Sequence, residues 1–173
     1  MEAVPTPLRV AAGAGIMASV WAAGIGTSLS LFSIPTILGG GGGGGAPRDV
    51  MLRQWKFHFL RGRALMPGLA ALNAANYWIA AYARWSRGLE WRGLAAAGAS
   101  TFFIIPYTVV FMFGTNERLM AAADGKEEEE EKEKPMSEDT VRRLIKKWGE
   151  LNVVRAVVPL VGSGLALWNL CLL

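Results

Sequence analysis

Four long stretches of the 173-residue chain carry no charged side chain: Val10–Pro47 (38 residues), Ala64–Ala83 (20), Gly93–Asn116 (24) and Ala156–Leu173 (18). About 20 apolar residues wound as a helix cross the hydrocarbon core of a bilayer. The pattern therefore predicts four spans in a single domain, at about 8–31, 64–83, 93–116 and 156–173. The first helix is expected to end at Ile34-Pro35, because proline disfavours a helical predecessor. A glycine-rich linker is expected at 39–47, since the run Gly39–Gly45 cannot sustain a helix. A signal peptide is the rival reading of the N-terminus. Its only basic residue is Arg9 and its apolar core is long enough to span, so an uncleaved helix is preferred. The fold class that follows is all-α, an integral membrane four-helix bundle.

Charge distribution supports this. Charged residues make up 18% of the chain, against about 25% in an average soluble domain. Between Glu117 and Arg155 lie 9 basic and 11 acidic residues, 20 of the 32 charges, which leaves 12 for the other 134 positions. A soluble domain spreads charge over its whole surface, so the bilayer is the expected solvent. The run Glu127–Lys134 reads as part of a solvated acidic linker over 124–135. After it, Ser137 to Thr140 can cap a short amphipathic helix through Lys147 that leads into the last span.

With four spans, Arg9, Arg84, Arg87 and Arg92 share one side, and the other 14 basic residues lie opposite, in the loops Arg48–Arg63 and Arg118–Arg155. Positive-inside bias places those two loops in the cytosol. Trp55 and Trp148 then fall near the cytosolic ends, and Trp78, Trp85, Trp91 and Trp168 near the other interface, as an aromatic belt requires. Trp21, in mid-span, fits neither belt. The net charge of +4 comes from residues beside apolar runs without a stacking motif, so nucleic acid is not an expected partner.

The first span sets Ala11, Gly15, Ser19, Ala23 and Thr27 at four-residue intervals, a face on which helix backbones can approach closely. Polar residues inside spans are costly and invite a functional reading. Asn73, Asn76, Tyr77 and Ala80 share a face of the second span. Ser100, Tyr107 and Thr108 line a strip of the third, where Pro106 is expected to kink the helix. Asn152, Arg155 and Pro159 lie together on the fourth. Taken singly, each of these is accounted for by interhelical hydrogen bonding, worth about 0.6–2 kcal/mol. As a set they predict a pocket for a flat polar aromatic ligand. The single cysteine, Cys171, excludes a redox pair, and the single histidine, His58, excludes a multi-histidine metal site or bis-histidine haem within one chain.

Five segments together carry a family resemblance. They are Gly26–Pro35, Leu52–Trp55 with Phe59–Pro67, Tyr77–Tyr82, Pro106-Tyr107 with Thr115–Leu119, and Trp148–Arg155. Their order and spacing resemble the anthrone oxygenase family, small four-helix membrane proteins of fungal aromatic polyketide pathways. The resemblance covers nearly the whole chain, with the glycine run and the acidic loop as insertions.

The resemblance implies oxidation of an anthrone to an anthraquinone by molecular oxygen as co-substrate, as in making emodin from emodin anthrone. The central methylene is doubly benzylic and conjugated to a carbonyl, so losing a proton gives a stabilised anthranolate that can itself reduce oxygen. No cofactor is then compulsory. The protein must supply a base, groups that stabilise the enolate, and a dry pocket. His58 is the candidate base, with an interfacial histidine facing headgroups as the alternative. Arg155 and Arg118 are candidates to stabilise the oxyanion, or else snorkel to phosphates. Asn116 and Asn152 would orient substrate oxygens or cap helix ends. Trp55 and Trp148 would form the pocket mouth or mark the interface, and Asn73, Asn76, Tyr77 and Tyr107 would line the pocket. Expected partners are a hydrophobic aromatic polyketide and the lipid bilayer. A homo-oligomer stays open, as does a haem or metal shared between subunits. The expected location is the endoplasmic reticulum or another endomembrane. The alternative from a different class is a non-catalytic membrane scaffold or carrier subunit.

Overall fold

The computed structural model describes residues 6–39, 45–126 and 135–171, and among these every regular element is helical. Helix α1 (Thr6–Ser28) passes through a π-helical turn, π1 (Leu29–Ser33), into α2 (Ile34–Ile37). Helix α3 spans Arg48–Trp85. Helix α4 (Arg92–Tyr107) passes through a second such turn, π2 (Thr108–Met112), into α5 (Phe113–Asp124), and α6 spans Glu138–Cys171. Three helical stretches, Arg9–Ile37, Arg92–Asp124 and Glu138–Leu170, are long and apolar enough to cross a membrane. The chain is a membrane protein with an all-α fold, as its charge-free stretches predict. The 38-residue α3 is not among the three. Asn73, Asn76, Tyr77, Trp78 and Tyr82 lower the hydropathy of its apolar half. The acidic run and most of the glycine run, on which the two linker expectations rest, lie outside the described residues.

Several boundaries differ from those expected. The first helix does not stop at Pro35. In π1 the hydrogen-bond step widens, and the Ile34 N–H reaches back five residues to the Leu29 carbonyl. Pro35 has no N–H to contribute, and next to the widened turn it enters α2 with Ser33 and Ile34 still right-handed helical. Pro106 lies inside α4 and is likewise followed within two residues by π2. The stretch Arg48–Arg63, expected as a loop, is the first half of α3. The short amphipathic helix before the last span is continuous with it as α6. Its start is as expected: the Thr140 N–H donates to Ser137 Oγ at 3.3 Å, with Glu138 and Asp139 in the first turn. Helix α5 ends at Gly125, whose φ of +69° is a left-handed conformation that a side chain disfavours.

The described chain divides into two compact units. The first contains residues up to 25, 66–106 and from 155 onward. Its buried faces are built from small residues: Ala12, Ser19 and Ala23 on α1, Ala74, Ala80 and Ala81 around Tyr77 on α3, Leu94 and Ala97 on α4, and Ala166 on α6. Gly15 sits where α1 meets α3. A Cβ there would lie 2.8 Å from Asn76 Nδ2 and 3.0 Å from the Tyr77 ring. That approach lets Asn73 Nδ2 donate to Ser19 Oγ at 2.7 Å and Asn76 Nδ2 to the Ala11 carbonyl at 2.8 Å. Arg84 is also buried, its Nε donating to the Glu90 carbonyl to close the α3–α4 turn.

Gly15→Val is therefore expected to destabilise the protein by about 1–3 kcal/mol, the usual cost of overpacking. Gly13→Ala, where a Cβ meets nothing within 4 Å, should leave stability unchanged or raise it slightly. Thermal unfolding of the two detergent-solubilised variants, followed by near-ultraviolet circular dichroism, checks the contrast.

The second unit contains residues 26–65 and 107–154. Its core joins Ile34 and Ile37 with Met51, Leu52 and Trp55 of α3, Met112, Leu119 of α5, and Val141, Ile145 and Trp148 of α6. Polar ties fasten its rim. Lys56 pairs with Asp124, Arg142 Nη1 donates to the Leu38 carbonyl at 2.6 Å, and Ser30 Oγ donates to the Gly149 carbonyl at 2.9 Å.

Candidate active site

In the second unit, a groove of about 490 Å³ runs between π1–α2 and the first half of α3. One wall is Phe32, Ser33, Thr36 and Ile37. The other is Arg53, Gln54, Phe57 and His58. Both walls follow from helical spacing. On α3, Arg53 and Phe57 are one turn apart, as are Gln54 and His58, so the pairs form adjacent rows. The opposite wall depends on π1, which re-aims Phe32 and Ser33 relative to an unbroken α-helix. Turns of this kind recur at functional sites.

His58 is half-buried and makes no hydrogen bond among the described residues; its ring meets that of Phe57 edge-on at 5.7 Å. Partial burial pushes its pKa below the ordinary value of 6.5, because desolvation disfavours the imidazolium. The ring is thus neutral at neutral pH and has nitrogen lone-pair capacity to accept a proton. Around it lie two aromatic faces, two hydroxyls, one amide and one guanidinium. A volume of this size lies within the range of small-molecule sites.

Beside the groove the unit's interior is aromatic. Trp55 stacks on Phe59 with centroids 4.9 Å apart and meets Trp148 edge-on at 5.9 Å. The Trp148 indole N–H donates to Asn116 Oδ1 at 2.9 Å. The buried Asn152 amide donates to the Trp148 carbonyl one turn back on α6, at 2.8 Å. The Tyr107 hydroxyl donates to the Leu151 carbonyl at 3.4 Å.

The matching comparisons point one way. The family model described as anthrone oxygenase matches residues 55–165. Noranthrone monooxygenase of Aspergillus flavus is 37% identical over 121 residues, covering 70% of this chain and 56% of that protein. Monooxygenase hypC of Dothistroma septosporum is 33% identical over 156 residues, 90% of this chain and 80% of that one. Anthrone oxygenase encC of Aspergillus fumigatus is 30% identical over 162 residues, 88% of each chain. The chain belongs to the anthrone oxygenase family. No solved structure matches it.

For this anthrone oxygenase family member, the expected site residues divide into groups. Asn116, Trp148 and Trp55 do come together, but inside a packed core. Trp55 and Trp148 are 0% and 4% exposed, so they neither form a pocket mouth nor mark an interface. His58, three residues beyond Trp55, is offset from it by about 60° around the helix, and that offset turns it from the core to the groove. Asn73, Asn76 and Tyr77 face α1 in the first unit, and their polar atoms serve helix–helix contacts: Tyr77 Oη meets Ser19 Oγ at 3.3 Å. The interhelical alternative, not a lined pocket, describes them. Tyr107 and Asn152 belong to the second unit and Arg155 to the first. Arg118 is exposed. Of the expected catalytic residues, His58 is the one that lines the groove. Phe32, Ser33, Thr36, Arg53, Gln54 and Phe57 were not singled out from sequence. A signal was present for some: the i, i+4 pairs Arg53–Phe57 and Gln54–His58 flank the candidate base.

Proposed function

We propose that the protein is an oxygenase that converts an anthrone-type aromatic polyketide intermediate, such as emodin anthrone, to its anthraquinone. The observation that carries this reading is His58, held neutral by burial, on the wall of an aromatic-faced groove of suitable size. Membership of the family and the names of the relatives support it.

The chemistry needs few protein groups. His58 removes a proton from the central methylene, and the pair of electrons left behind spreads through the rings onto the carbonyl oxygen. The anthranolate gives one electron to dioxygen, and the two radicals combine to form a carbon–oxygen bond. The resulting peroxide takes up a proton. It then loses the second methylene hydrogen and breaks its O–O bond, releasing one water and leaving the new ketone. One anthrone and one dioxygen thus give one anthraquinone and one water, with substrate as the sole reductant. The Phe32 and Phe57 rings, 69% and 58% exposed along an open groove, offer apolar faces to a flat ring system.

We also assign the protein to the endoplasmic reticulum or another endomembrane, with the basic segments 48–63 and 118–155 on the cytosolic side. The 14-to-4 split of basic residues across the expected topology supports that orientation.

The test is oxygen uptake by the purified detergent-solubilised protein given emodin anthrone, with product identified by mass and metal content assayed alongside. Anthraquinone formed well above the spontaneous rate by metal-free protein is the expected result. Product only from metal- or haem-loaded protein would keep the reaction and remove the cofactor-free route. A rate at background across several anthrones would leave the carrier or scaffold reading.

A further inference from the structure

One cation on the groove wall is uncommitted. Around it the basic residues are taken. Lys56 is paired with Asp124, Arg61 lies over the Phe57 ring at 5.2 Å, Arg48 bonds Asp49 and the Met136 carbonyl, and Arg142 bonds Glu138 and the Leu38 carbonyl. Arg53 lines the groove, and among the described residues it has neither a hydrogen-bond nor an ion-pair partner. None of the groove residues is a carboxylate. The wall therefore presents a guanidinium, an amide and an imidazole beside two aromatic faces, and among the described residues no carboxylate pairs with the guanidinium.

We propose that Arg53 holds the oxygen on which negative charge gathers, so that the groove takes its aromatic ligand as the oxyanion. This rests on the groove being the substrate site. A guanidinium donates two parallel N–H bonds, and charge-assisted bonds of this kind are about twice as strong as neutral ones. Donors aimed at a developing oxyanion favour the ionised form over the neutral one, which eases the proton transfer to His58 without making a covalent bond. The residues expected to supply this cation, Arg155 and Arg118, stand at the ends of spans and do not line the groove. The groove puts it on α3, one turn before Phe57, on a wall it shares with the base.

The test uses a ligand that cannot turn over. The stable tricycle 1,8-dihydroxyanthraquinone changes its visible absorption when a phenol ionises, so its protonation state can be read while bound. The full chain in nanodiscs is titrated with pH in the presence of the dye, with empty nanodiscs as reference. In wild type the dye's phenol pKa is expected to fall by about one unit or more, a tenfold shift toward the anion. Arg53→Gln should abolish the fall, and Arg53→Lys should keep part of it. Arg87→Gln, on the exposed α3–α4 turn, should leave it intact. A fall of the same size in Arg53→Gln, or no fall in wild type, overturns the proposal. Anthrone oxidation by the same samples separates the two readings. Turnover with an Arg53-independent dye shift leaves the oxygenase standing and removes this role. An Arg53-dependent shift without turnover does the reverse.

Discussion

His58→Ala is expected to cut anthrone oxidation by about 10²–10⁴-fold, the usual contribution of a positioned general base, without unfolding the protein. The side chain makes no hydrogen bond among the described residues and packs on one edge of Phe57, so little structure depends on it. In wild type, activity should be flat above neutral pH and fall as acid protonates the ring. Because burial lowers the His58 pKa from 6.5, that acid limb lies below 6.5. The same depression has a stability consequence of fixed sign. The fold favours the neutral ring, so its contribution is present above the unfolded pKa and is lost as pH falls through the folded one. In His58→Ala the residual rate should lose the limb. Initial rates of oxygen uptake across pH 5–8 decide it. An unchanged rate, or a reduced rate that keeps the same limb, would assign the proton transfer to another group.

Much of the fold was legible because membrane helices declare themselves in charge-free runs, and small residues at four-residue spacing declare their packing face. Gly15 and Ser19 do meet Asn73, Asn76 and Tyr77. The groove was not legible, for two physical reasons. Pro35 reads locally as a stop, yet the helix continues through the neighbouring π1 turn and brings Phe32, Ser33 and Thr36 to bear. Which residues of α3 they meet is set by how the helices cross, which is a tertiary fact. The basic residues of 48–63 read as a charged loop, whereas they ride on a helix whose other face is core. That is why Arg53 and Gln54 carry no site signal beyond their place in the Leu52–Trp55 segment, whereas His58 stands out by its chemistry alone. The tryptophans failed in the opposite direction. Composition favours placing Trp55 and Trp148 at an interface, yet the helical extension of α3 and α6 beyond the apolar runs buries both.

That burial gives the other large expected effect. Trp55→Ala should destabilise the protein by about 3–5 kcal/mol, the range for deleting a large aromatic from a packed core. Trp55 is fully buried, stacked on Phe59 and edge-on to Trp148. Each aromatic contact adds about 0.5–1.5 kcal/mol beyond area burial. Its indole N–H has no acceptor among the described residues, so ring area and not hydrogen bonding is what the site uses. Trp55→Phe should then cost far less than Trp55→Ala, because it keeps most of the stack and removes a donor whose desolvation is uncompensated. The effect should also reach the groove, since Gln54 and His58 flank Trp55 on α3 and take their positions from the packing of that face. Urea unfolding of the two variants in mild detergent measures the stability difference, and dye binding to the groove measures the spread. Equal costs for Phe and Ala would mean that the stack on Phe59 and Trp148 is not what the site depends on. A groove that still binds dye normally in Trp55→Ala would separate the aromatic core from the site.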